Sequence, residues 1–113
     1  MVLRNEDMSV RVNESAQGGP GYILMRDLCK VLPVNVRLCS DITLPSGAGV
    51  GNHKHEGEAE IYIITEGEAV YTDDGETCIV KKGDVTVCPA GHSHAIENTT
   101  DDVVKFIAII VME

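Results

Sequence analysis

Basic side chains are scarce in this chain. Nine Lys and Arg stand against 18 Asp and Glu, for a net charge of −9 over 113 residues. Such a surface repels phosphate backbones and anionic membranes, which sets aside nucleic acid and lipid partners. Long apolar runs are also missing. The longest spans Phe106 to Met112, far short of a bilayer crossing. Met1 to Ser15 is mostly polar and lacks the apolar stretch of a secretory signal. Of the four cysteines, Cys29, Cys39, Cys78 and Cys88, no two have CxxC spacing. The expectation is a reduced, cytoplasmic protein that uses its cysteines as small hydrophobes. The sequence has no phosphate-cradling glycine loop and no Ser/His/Asp order.

What is present is a series of short apolar runs between turn signals. Residues 1–21 are polar and end in Gly18-Gly19-Pro20-Gly21, a breaker cluster. They are read as an N-terminal segment that wraps the barrel or a partner subunit, with residues 22–113 as the single domain. The runs are Tyr22–Met25, Val36–Leu44, Ile61–Thr65, Ala69–Thr72, Thr77–Val80, Val85–Cys88, His94–Glu97 and Val103–Met112. Rich in Val, Ile and Thr and punctuated by Gly, Pro and Asp, they predict strands and an all-β sandwich or barrel. Asp73-Asp74-Gly75 predicts a hairpin turn. Met25–Leu32 is the one stretch that reads as a short helix.

Two runs, Ile61-Tyr62-Ile63-Ile64 and Ile107–Val111, are apolar on both parities. A strand with one open face should alternate. Both faces are therefore expected to be covered, the second one by another copy of the chain in a homodimer. The competing cover is the N-terminal segment, which offers little apolar surface.

The chemistry concentrates in Gly47-Ala48-Gly49-Val50-Gly51-Asn52-His53-Lys54-His55, followed by Glu60 and, much later, His94. Residues two apart on a strand share a face, so His53 and His55 project together if the loop runs into extended structure. Imidazole suits Zn, Cu, Fe and Ni, and a carboxylate widens the choice toward Mn.

The wider spacing is more specific than the His pair. From Gly47, five residues lead to His53, one to His55, four to Glu60 and six to Gly67. From Gly83, five lead to Pro89, one to Gly91, two to His94 and three to Asn98. This pattern resembles the two-part signature of the cupin superfamily at every defined position, with the 15-residue spacer of its small single-domain members. The resemblance implies an antiparallel double-stranded β-helix, the jelly-roll barrel. It also implies one divalent metal ion (Mn, Fe, Ni or Zn) inside the barrel, held by His53, His55, Glu60 and His94. Gly67, Gly83, Pro89, Gly91 and Asn98 are then turn and strand-end positions.

The resemblance extends to oxalate decarboxylase-type cupins, where an arginine three residues before the first motif histidine orients substrate. Here that position is Val50. Arg37 could supply a cation instead, or form an ion pair. Tyr62 shares parity with Glu60 and is expected to line the interior together with Ile64, as a packed residue or a catalytic one. His92 is a solvated turn residue or a proton shuttle at the barrel mouth. Ile96 and Asn98 share parity with His94. Either Phe106, Ala108 and Ile110 or Ile107, Ile109 and Val111 close the pocket, and Tyr22 is a rim candidate. The expected function is a metal-dependent enzyme acting on a small carboxylate- or oxygen-rich molecule, by decarboxylase, dioxygenase, isomerase or lyase chemistry. The alternative is a non-catalytic small-ligand binding or sensing module.

Overall fold

The computed structural model describes residues 1–113 as ten antiparallel strands in two sheets. They are β1 (Val10–Glu14), β2 (Tyr22–Asp27), β3 (Val36–Leu44), β4 (Gly49–Lys54), β5 (Glu58–Glu66), β6 (Glu68–Asp73), β7 (Glu76–Lys81), β8 (Val85–Cys88), β9 (Ser93–Glu97) and β10 (Val104–Met112). One sheet has the order β1-β2-β3-β10-β5-β8 and the other β4-β9-β6-β7. This is the jelly-roll barrel that the two motifs imply. No helix is long and apolar enough to cross a membrane.

The longest strands, β3, β10 and β5, lie side by side and carry the core. Along β10, Val104, Phe106, Ala108 and Ile110 are buried, while Lys105, Ile107, Ile109 and Val111 are half-buried. The even-numbered set therefore faces the interior, which settles the parity that the sequence leaves open. Phe106 is fully buried against Tyr62, in the same core as Leu44, Ile64 and Val104. Burying one such side chain stabilises the fold by roughly 1.5–3 kcal/mol.

The β6–β7 hairpin turns on Asp74 and Gly75, both at positive φ (47° and 88°), with Asp73 opposite Glu76. That is the two-residue loop whose twist matches its strands, as the Asp-Gly pair predicts. Gly67 joins β5 to β6 at φ 78°, and a Cβ there would lie 2.6 Å from the Val103 carbonyl oxygen. Any other residue would be both strained and obstructed.

Met25–Leu32 is not helical. Met25, Arg26 and Asp27 end β2 in register with Ile42, Asp41 and Ser40, and residues 28–35 form a connection without strand or helix. The ladder with β3 satisfies their backbone groups, and Pro33 cannot extend a helix. The N-terminal residues contribute β1, paired with β2 at the sheet edge, and a short 3-10 turn, Ala16–Gly18, packed on β4. Gly51 permits that approach, because a Cβ there would collide with the Gln17 carbonyl oxygen.

Asn98 locks the end of β9. It is fully buried, and its amide donates to the carbonyls of Leu44 (3.0 Å) and Asp102 (2.7 Å). Its own oxygen accepts from the Thr100 N–H (2.9 Å) and hydroxyl (2.7 Å). Asn98→Ala strands several buried polar groups at once. It should cost about 2–4 kcal/mol, read as a lower urea midpoint with an unchanged m-value.

Candidate metal centre

The four motif side chains converge inside the barrel. β4 supplies His53 and leads directly to His55, β5 supplies Glu60, and β9 supplies His94. His53 and His94 are register partners across the β4–β9 ladder, which carries an irregularity between Val50 and His53. His94 is fully buried, His55 and Glu60 are 4% exposed, and His53 is half-buried. His94 Nε2 lies 3.1 Å from His55 Nε2, 3.2 Å from His53 Nε2 and 2.9 Å from Glu60 Oε1. Glu60 Oε1 is 3.0 Å from His55 Nε2 and 3.6 Å from His53 Nε2.

Each imidazole is oriented through its other nitrogen. His53 Nδ1–H donates to the Gly51 carbonyl (2.7 Å), and His55 Nδ1–H donates to Glu58 Oε1 (3.1 Å). His94 Nδ1 is 2.8 Å from the Tyr71 hydroxyl, and Tyr62 stacks on the same ring at 4.8 Å. With each Nδ1 committed in this way, three Nε2 lone pairs and one carboxylate oxygen point into one small space. A divalent cation relieves that repulsion. Donors at right angles around an ion at about 2.1 Å lie about 3.0 Å apart, close to four of the five separations. The residues therefore fit a metal ion, and the group as a whole can hold one.

The charge states of Glu60 and His94 favour that fit, and that of His53 opposes it. Burial pushes the Glu60 carboxyl up, but the imidazoles of His53, His94 and His55 crowded around it outweigh that and hold it at about 2. The group is thus a carboxylate at neutral pH. Burial drives His94 below the ordinary imidazole range, toward the neutral ligand form. His53 moves the other way: burial opposes its protonation, but Glu60 and the Gly51 carbonyl favour it more.

Glu58 is a partner that the motif does not mark. Arg37 Nε and Nη2 each donate to its carboxylate at 2.8 Å, so a two-pronged ion pair holds the acceptor of His55. This pairing keeps Glu58 below the usual carboxylate range, against the opposing effect of its burial. Its parity with Glu60 on β5 was the available signal. Tyr71, raised to about 12 by burial, is the other such partner, and the alternation of buried Ala69 and Tyr71 on β6 marks its inward face.

The remaining candidates fall in different places. A cavity of about 210 Å³ reaches His53, His55, Glu60 and Tyr62, with Arg37 also in its wall. His92 pairs with Asp74 at the hairpin, with its ring half-exposed. Val50 lines the same cavity, in the position where an arginine would mark oxalate decarboxylase-type members. Ile64, Ile96 and Asn98 are buried, and Tyr22 is 48% exposed and outside the cavity lining. A larger hollow of about 330 Å³ lies between the N-terminal residues and residues 27–30, and none of the four donors lines it.

Comparison with known proteins agrees with this picture. Residues 40–110 match the family model described as the Cupin domain. An oxalate-binding protein of Thermotoga maritima is 39% identical over 114 residues, covering 99% of this chain and 94% of that protein. A crystal structure from Thermotoga maritima, described as a predicted oxalate decarboxylase, superposes with a TM-score of 0.92 at 38% identity over the whole of both chains. KdgF from Halomonas sp. shares the fold alone: TM-score 0.82, 17% identity, 100% of this chain and 94% of that one.

Removing an outer partner of a metal-bound histidine typically lowers affinity 10–100-fold. Glu58→Gln should weaken metal binding by roughly that factor, measured by competition with a chromogenic chelator. Lys54→Ala, which removes an exposed neighbour paired only with Glu56, should leave it unchanged.

Proposed function

The chain belongs to the cupin family, and from that premise we propose that it holds one divalent metal ion on His53, His55, Glu60 and His94 and binds a small carboxylate there. The observation that carries this reading is the convergence of three Nε2 atoms and Glu60 Oε1, with every Nδ1 tied elsewhere. The name of the Thermotoga oxalate-binding relative supports the carboxylate class.

When bound, the ion supplies a Lewis acid whose charge attracts anionic oxygen in an otherwise acidic protein. The chain does the rest. Gly51, Glu58 and Tyr71 fix the planes of the three rings, so that little is left to order when a ligand arrives. Arg37 balances the charge of Glu58 and keeps that carboxylate off the cavity. Tyr62 and Ile110 wall the ligand space and limit water. Four protein donors leave two positions of a six-coordinate ion for ligand oxygen. Structural zinc sites, by contrast, are usually closed sets of Cys and His.

Turnover is the second reading, and Tyr62 favours it, because its side chain lines the space that the ligand would fill. On this reading Tyr62 contacts the substrate, and Arg37 and His92, held in ion pairs, take no part.

We also propose a homodimer through the outer face of the six-stranded sheet. Ile107 lies opposite Ile63, Ile109 opposite Ile61, and Ile61 and Ile63 opposite Val87 and Val85. Val85 and Val87 are more than half exposed, and the N-terminal strand sits at the far edge of the sheet, where it covers none of them. A contiguous apolar face of this kind is uncommon on a monomer.

Two measurements test these proposals. Manganese-loaded protein should bind oxalate in a calorimeter, and the metal-free protein and His94→Ala should not. Oxalate bound equally well by all three would place it elsewhere and remove the metal from the account. Ile109→Glu should shift the mass by light scattering from two chains to one with metal content unchanged. A wild-type monomer at micromolar concentration would refute the dimer.

A further inference from the structure

We infer that the ligand of this centre is a 2-oxo acid with a short branched aliphatic side chain. This rests on the metal–carboxylate reading above and narrows it. The inner face of the six-stranded sheet changes character step by step, as the strand registers show. Glu60 on β5 lies opposite Ile110 on β10, and Ile110 lies opposite Leu38 on β3. On β3, Ile42 lies opposite Met25 of β2. Met25 and Ile23 in turn lie opposite Arg11 and Asn13 of the edge strand β1.

All of these residues line the one cavity of about 210 Å³. It runs from His53, His55 and Glu60, across Ile110, Leu38, Ile42, Met25 and Ile23, to a polar rim. Neighbouring strands are spaced by about 4.8 Å, so the aliphatic stretch covers three strands. Nothing in that stretch can accept or donate a hydrogen bond to a charged group, apart from the weak thioether of Met25. An unpaired carboxylate pressed against it would be costly. A dicarboxylate whose second carboxylate ends within that stretch is therefore disfavoured, and oxalate, which has no carbon beyond its two carboxylates, leaves the stretch unfilled. A 2-oxo acid offers two neighbouring oxygens at one end, as oxalate does, and an apolar tail at the other. Ile23, Met25 and Ile42 are the specificity-determining residues for that tail.

The test compares oxalate, pyruvate and 4-methyl-2-oxopentanoate on manganese-loaded wild type by calorimetry. Each carbon buried against aliphatic walls is worth about fourfold in affinity. The branched acid, with three more carbons than pyruvate, should therefore bind at least about tenfold tighter. Met25→Gln, close in size but polar, should lose most of that gain while keeping the affinity for oxalate and for manganese. If oxalate and pyruvate bind but the branched acid gains nothing, this inference falls and the carboxylate reading stands. If none of the three binds the loaded protein, the carboxylate reading itself falls, and this inference with it. The wild-type series decides the matter even if the variant does not fold.

Discussion

Four lone-pair donors brought to within 4.8 Å of one another repel, and a fold that buries them needs something to offset that repulsion. In this chain each imidazole has already used its Nδ1 on a neighbour, so a proton shared among the Nε2 atoms is a weaker answer than a divalent cation. The rest of the interior can be understood from that constraint. Gly51 and Glu58 aim rings rather than fill space, and Tyr71 does both, as a core residue whose hydroxyl meets His94. Arg37, largely exposed, matters because it neutralises the acceptor of His55.

The jelly roll suits this task because it brings the consecutive strands β4 and β5, which lie in different sheets, and the distant strand β9 onto one point. The four-stranded sheet carries His53 and His94 as register partners and delivers His55 at the end of β4. The facing sheet carries Glu60. Asn98 closes the same strand that bears His94, so the lock on β9 and the aim of a ligand are mechanically linked. The six-stranded sheet then extends from the donor group through an aliphatic stretch to the polar edge formed by the N-terminal strand. Its outer face, apolar where β5, β8 and β10 meet, has no cover within the chain. The two faces of one sheet thus explain why Ile61–Ile64 and Ile107–Val111 do not alternate.

Much of this was legible in the sequence, for identifiable reasons. Strands rich in Val and Ile between turn residues, such as β3 and β8, end where composition says they end. The Asp74-Gly75 hairpin follows from the need for positive φ at two consecutive positions. The motif spacing, through its resemblance to the cupin signature, groups His53, His55, Glu60 and His94. What escaped had little local signal. β4 is glycine-rich and reads as a loop, yet its glycines admit the N-terminal turn and the facing strand. β1 is polar because it is an exposed edge strand. Met25–Leu32 has helical spacing by composition alone, and the ladder with β3 overrides it. The inward parity of β10 depends on its partners on both sides, which no single strand encodes. Glu58 and Tyr71 are defined by what they touch, and only their parity hinted at it.

The central claim is that these four side chains hold a metal ion. Its most direct test is elemental analysis of the protein purified without added metal and without chelating resin, alongside Glu60→Ala prepared in the same way. Close to one equivalent of a single transition metal is expected per wild-type chain, with a large loss in the variant. A wild-type protein that carries no metal, and takes up none at micromolar concentrations of Mn, Fe, Ni or Zn, would contradict it.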